Sequence, residues 1–155
     1  MLRDLQTCLD TEIALVQEFL AVLELETVVL TEGRGEAALA ETTARKNHYA
    51  DQLAAVGERR QTLLSALGYS ADKAGLDAVS HAHPELRASC TLLLEKARLA
   101  SELNTSNGII IDTFLQHNQQ ALDALRSLAG MGALYDASGR TRPAPAGTSK
   151  NIKAG

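Results

Sequence analysis

Between Pro84 and Leu128 the apolar residues Leu86, Cys90, Leu93, Ala97, Ala100, Leu103, Ile110, Phe114, Ala121, Leu125 and Leu128 are separated by threes, fours and sums of those steps. Such spacing returns every side chain to one face of a helix, whereas a strand alternates faces at every residue. The run therefore predicts one long helix. Its middle works against that. Asn104-Thr105-Ser106-Asn107-Gly108 is followed at once by Ile109-Ile110-Ile111. A glycine inside a helix costs about 1 kcal/mol against alanine, and β-branched side chains are stiff there. The stripe resumes in phase at Phe114 and Leu125, so packing is expected to carry the helix through. A glycine at this point lets another backbone come close. An asparagine on an apolar stripe can hydrogen-bond a partner or fix register.

Two more helices are expected upstream. Leu2, Leu5, Leu9, Ile13, Val16, Leu20, Leu23 and Leu30 trace a stripe over about 2–31, with glutamates on the opposite face. Gly33-Arg34-Gly35 ends that helix and lets the chain turn back. A second helix follows from about Glu36 to Leu67, with a weaker stripe that places Lys46 and Arg60 where apolar residues belong. Their stems can pack while their heads reach water, or pair with glutamates of the first helix. Gly57 is a soft spot in it, and Gly68 is placed to stop it. Residues 69–83 read as a connector with one short helical turn near Asp72 to Val79. Pro84 suits the first turn of the third helix, because its missing N–H has no helical partner there. Gly130-Met131-Gly132 ends that helix. The expectation is an all-α fold: an elongated, antiparallel three-helix, coiled-coil-like bundle over 1–130, its helices roughly 45 to 65 Å long at 1.5 Å per residue. A flexible, disordered tail over 131–155 follows, because Thr141 to Gly155 offers Ile152 as its one bulky apolar residue.

Charge and composition limit the partners. The net charge is −4, and from Met1 to Gly33 Arg3 alone is basic against seven acids. An acidic body with 3% aromatic residues suits neither a phosphate backbone nor base stacking. No stretch approaches the ~20 apolar residues that span a bilayer. The start, Met1-Leu2-Arg3-Asp4, is not a signal peptide. Cys8 and Cys90 sit at stripe positions and read as small core residues in a reducing compartment. A cytoplasmic protein without stable membrane insertion and without a nucleic-acid partner is expected.

No constellation for catalysis stands out. His81-Ala82-His83 with Cys90 lacks the spacing of a zinc site. No histidine has a glutamate three residues before it, as bundle di-metal sites require. No phosphate-cradling loop or nucleophile elbow is present. An enzyme, a metal and a cofactor are therefore not expected. What remains is surface: apolar stripe left over after internal packing is a groove for another amphipathic helix. The competing reading is that the stripes satisfy one another or pair in a homodimer, which makes a self-associating coiled-coil structural or adaptor protein.

The chain resembles the FlgN family of flagellar export chaperones along nearly its whole length. Arg45-Lys46, Arg59-Arg60, Leu63-Leu64 and Leu67-Gly68 match in the second helix. Asn104-Thr105-Ser106-Asn107-Gly108-Ile109-Ile110 looks like the family's Asn-x-x-Asn-Gly-aliphatic core, and Leu134-Tyr135-Asp136 with Gly139 looks like its tail motif. The resemblance implies a cytoplasmic chaperone for the C-terminal helical segment of hook-associated (hook–filament junction) proteins. It would keep them from premature assembly and deliver them to the flagellar type III export gate, with the export ATPase as a further partner. On that implication Leu103, Asn104, Asn107, Gly108, Ile110, Ile111 and Phe114 bind the client, and Tyr135 docks at the gate.

Overall fold

The computed structural model describes residues 1–129, together with the backbone of residues 134–135 and 141–142. Four α-helices follow in order: α1 (Leu2–Glu32), α2 (Glu36–Ala66), α3 (Lys73–Ala82) and α4 (Arg87–Ala129), with a 3₁₀ turn at Pro84–Leu86 before the last. Two two-residue strands, β1 (Leu134–Tyr135) and β2 (Thr141–Arg142), pair antiparallel with Leu134 opposite Arg142 and Tyr135 opposite Thr141. The chain divides into two compact units, Met1–Asn107 and Gly108–Gly155, and α4 contributes to both.

The expected count of three helices is corrected to four. The extra one, α3, lies in the segment read as a connector. Its start is built locally. The Asp72 carboxylate accepts hydrogen bonds from the Ser70 hydroxyl (2.6 Å) and the Gly75 N–H (3.2 Å), an N-cap that satisfies one of the orphan donors of the first turn. Leu76 and Val79 are its buried side chains with an apolar payload. Two such residues in ten are too few to announce a helix by periodicity.

In the first unit, α1 supplies the centre of the core. Leu5, Leu9, Ile13, Val16 and Leu23 pack with Leu64 of α2, Leu76 and Val79 of α3, and Leu86, Cys90, Leu93 and Ala100 leading into and along α4. Each fully buried Leu or Val contributes about 1.5–3 kcal/mol relative to an exposed one. α1 ends at Gly33, which adopts φ 63° and returns its N–H to the Val29 carbonyl. That left-handed turn favours glycine and closes the helix. Gly68, just past the end of α2, also has a positive φ, 88°.

α2 buries little apolar surface of its own, and polar contacts bind it to α1. Arg60 meets Glu12 through two contacts, Nε to Oε1 at 2.7 Å and Nη2 to Oε2 at 3.2 Å. Lys46 Nζ lies 3.3 Å from both carboxylate oxygens of Glu26. The two basic residues that interrupt the α2 stripe therefore face glutamates of α1. As residue numbers fall along α2 they rise along α1, so the two helices run in opposite senses. On α4 the contacts run the other way. Gln6 Nε2 bonds Ser89 Oγ at 2.7 Å and Leu23 meets Asn107, so α4 runs in the same sense as α1.

The helix α4 is continuous through Asn104–Gly108, as the resumed phase of the stripe predicts. The proposed stop at Gly130-Met131-Gly132 lies outside the described residues, as does most of the segment expected to form a tail.

Candidate functional site

α4 carries two rows of residues spaced by seven. One is Leu86, Leu93, Ala100, Asn107, Phe114, Ala121 and Leu128; the other is Cys90, Ala97, Asn104, Ile111, Asn118 and Leu125. Seven residues make nearly two turns, so each row stays on one side of the helix. The first row has two fates. Leu86, Leu93, Ala100 and Asn107 are buried, Asn107 completely, whereas Phe114 is 63% exposed and Leu128 87% exposed. Leu125 of the second row and the adjoining Leu115 are also exposed. The same pattern is thus core on one side of Asn107 and surface on the other.

Asn107 is held entirely by side chains and backbone of α1. Its Nδ2 donates to the Leu23 carbonyl (2.9 Å) and to Glu26 Oε1 (3.0 Å), and its Oδ1 accepts from the Thr27 hydroxyl (2.7 Å). Turning the amide over would set its oxygen against two acceptors, so the network fixes its orientation. Glu26 is 1% exposed, and its charge is met by Lys46 of α2. One polar cluster thereby ties α1, α2 and α4 together. Burying these groups is tolerable because each has a partner; removing one leaves the others unmatched at about 1–3 kcal/mol each.

The residues carried over from the family resemblance do not share one environment. Leu103 is half-buried and packs on the core. Asn104 is exposed and lines an apolar depression of about 290 Å³ with Val16, Phe19, Leu53, Ala97 and Ala100. Asn107 faces inward. Among the described residues a Cβ on Gly108 would meet nothing within 4 Å, so none of them requires a glycine there. Ile110 and Ile111 are half-buried, and Phe114 is exposed. Tyr135 lies on β1, and its side chain is outside the described residues.

The exposed apolar positions continue past Phe114, through Leu115 and Leu125 to Leu128; sequence reasoning placed Leu125 and Leu128 only as stripe and did not single out Leu115. The seven-residue spacing, rather than the Asn-Gly motif, is the signal that reaches Leu125 and Leu128. Among the described residues no three His, Cys, Asp or Glu side chains converge as a metal site would require, and no helix is long and apolar enough to cross a membrane. Burial pushes the Cys8 thiol up from its ordinary range, aided by the Glu12 charge. Burial does the same for Cys90, aided by Asp77. Both thiols stay protonated and act as core residues.

Set against known protein families, residues 1–143 match the model of the family described as FlgN protein. Neither the curated proteins nor the solved structures yield a match.

Proposed function

The chain belongs to the FlgN family of flagellar export chaperones, and from that premise we propose that the uncovered face of α4 after Asn107 holds the C-terminal helical segment of a hook-associated protein. The observation that carries this reading is the change in burial along one row. Phe114 and Leu128 continue a line of side chains that elsewhere forms the core, yet they face solvent. Covering a Phe and several Leu gives about 1.5–3 kcal/mol each before the cost of ordering the client. That is ample for a complex that must later release its client at the export gate. Ile110, Ile111 and Phe114 begin the face, and Leu115, Leu125 and Leu128 extend it. The chaperone acts in the cytoplasm, keeps the client from assembling early and brings it to the gate, where Tyr135 docks.

Phe114→Asp tests the assignment. Circular dichroism should show parental helix content, because the side chain it replaces is exposed. Calorimetry with the C-terminal segment of a hook–filament junction protein should show affinity lowered at least tenfold. Parental affinity would overturn the assignment. Sedimentation tests the self-association reading: a tight dimer that excludes every client would replace this function with that one.

A further inference from the structure

Of the five asparagines in the chain, Asn107 alone is followed by glycine. Gly108 has no side chain to shield its backbone nitrogen, so that nitrogen can lose its proton and attack Cγ of Asn107. A C–N bond forms, the Cγ–Nδ2 bond breaks, and ammonia leaves, taking up a proton. Water then opens the resulting succinimide ring at either of its carbonyls, leaving aspartate or isoaspartate. Nothing is oxidised or reduced, and water is the co-reactant. We infer that Asn107-Gly108 is a deamidation site closed by folding: the native chain keeps Asn107 intact, and a chain that opens around it is converted to a form that cannot rebuild the contacts of Asn107 with α1. The modification needs no occupant on the exposed stretch of α4, so it stands apart from the function proposed above.

The fold protects the site in three ways. Asn107 is 0% exposed, so water does not reach its amide. Its Nδ2 is held by the Leu23 carbonyl and the Glu26 carboxylate and its Oδ1 by the Thr27 hydroxyl, so Cγ cannot swing toward the backbone. Inside α4 the Gly108 N–H belongs to the ladder of helical hydrogen bonds. Attack therefore requires this turn of α4 to part from α1, and its rate follows the population of the open chain. Asn104, one turn away, is exposed and lacks that protection, but the branched side chain of Thr105 shields the nitrogen that follows it.

The product does not fit the place Asn107 leaves. An oxygen instead of Nδ2 would face the Leu23 carbonyl and the Glu26 carboxylate, which lie 2.9 and 3.0 Å from that nitrogen, with no proton to give either. Lys46, which pairs with Glu26, would have two carboxylates to answer. Isoaspartate also lengthens the main chain by one carbon and breaks the helical repeat. Both products weaken the contact that kept the site closed, so the converted chain opens more often and the change runs one way.

The full chain is incubated at one pH and temperature, folded in buffer or unfolded in guanidinium chloride, and digested at intervals. Mass spectrometry reads the amide-to-acid mass gain and the isoaspartate content of the peptide holding Asn107. In denaturant Asn107 should convert faster than every other asparagine, with isoaspartate among its products. In buffer its conversion should be slower by about a thousandfold or more, the scale of the unfolded fraction. Equal rates in the two samples overturn the inference, as does an Asn107 that stays intact in denaturant. Gly108→Ala should slow the conversion in denaturant severalfold; an unchanged rate overturns the route through the Gly108 nitrogen. Asn107→Asp, followed by urea unfolding, should lower the ratio of folded to unfolded chain by about tenfold or more. Adding Glu26→Gln should recover part of that loss, because the new amide can donate to the carboxylate. Parental stability in Asn107→Asp overturns the one-way character of the change.

Discussion

Two glycines that look alike in the sequence differ in what a methyl group would meet. At Gly75 an added Cβ would lie 1.6 Å from the Ser70 carbonyl oxygen, so the backbone itself must move. At Gly108 nothing lies within 4 Å. Helix propensity favours alanine at both by up to about 1 kcal/mol. The clash reverses the sign at the first. Gly75→Ala should destabilise the fold by about 1–3 kcal/mol, and Gly108→Ala should stabilise it by about 0.5–1 kcal/mol. Urea unfolding reads both, and a stabilised Gly75→Ala protein would contradict the close approach of Ser70. The asparagines make the same point. Asn104 and Asn107 share a motif and a turn of helix, yet one faces solvent and the other is fully buried.

Among the elements, α2 is held by charge pairs to α1 as well as by the apolar packing of Leu53, Leu63, Leu64 and Leu67. Glu12 is buried, and Arg60 shields and pairs it. Arg60→Ala should therefore cost about 3 kcal/mol or more, because the carboxylate stays behind without a partner. Replacing both, as Glu12→Leu with Arg60→Met, should recover most of that loss, and a double variant as unstable as the single one would argue against the pair. The short helix α3 has its own pH signature. The Ser70 hydroxyl, then the Gly75 N–H, hold the Asp72 carboxyl below its ordinary value of 3.8. A lowered folded-state pKa means that this contribution is complete above the unfolded value and is lost as pH falls through the folded one. The protection of α3 amides, taken against their intrinsic exchange rate at each pH, should fall on acidification below about pH 4, and Asp72→Asn should remove that dependence. An unchanged acid response in the variant would assign it to another group.

For the molecule as a whole, binding and delivery are expected to separate. Tyr135→Ala should leave affinity for the junction-protein segment unchanged and reduce its export by intact cells; loss of affinity would merge the two roles. The exposed apolar positions of α4 also have a consequence for the free protein. Burying Phe114, Leu125 and Leu128 inside the fold would have added stability, so their exposure is the feature of α4 that core packing does not explain.

Helix periodicity was legible from the chain alone, because it is a local property that repeats every turn. It located α1, α2 and α4 and the glycines that end α1 and α2, and it left the pairing of Lys46 and Arg60 with glutamates of α1 as one of two readings. It read α3 as no more than one short helical turn near Asp72 to Val79, because its cap and few apolar contacts leave no period to extend. It could not divide the α4 stripe into a covered and an uncovered part, since Leu93 and Leu128 obey one rule. It could not tell that Asn107 closes a network across three helices while Asn104 does not. Coverage depends on which helices lie alongside at each turn, and that is settled by contacts between residues far apart in the chain, such as Leu23, Glu26 and Thr27 against Asn107. The sequence set the pattern of the helices; the tertiary packing decided which stretch of that pattern was buried and which stayed exposed.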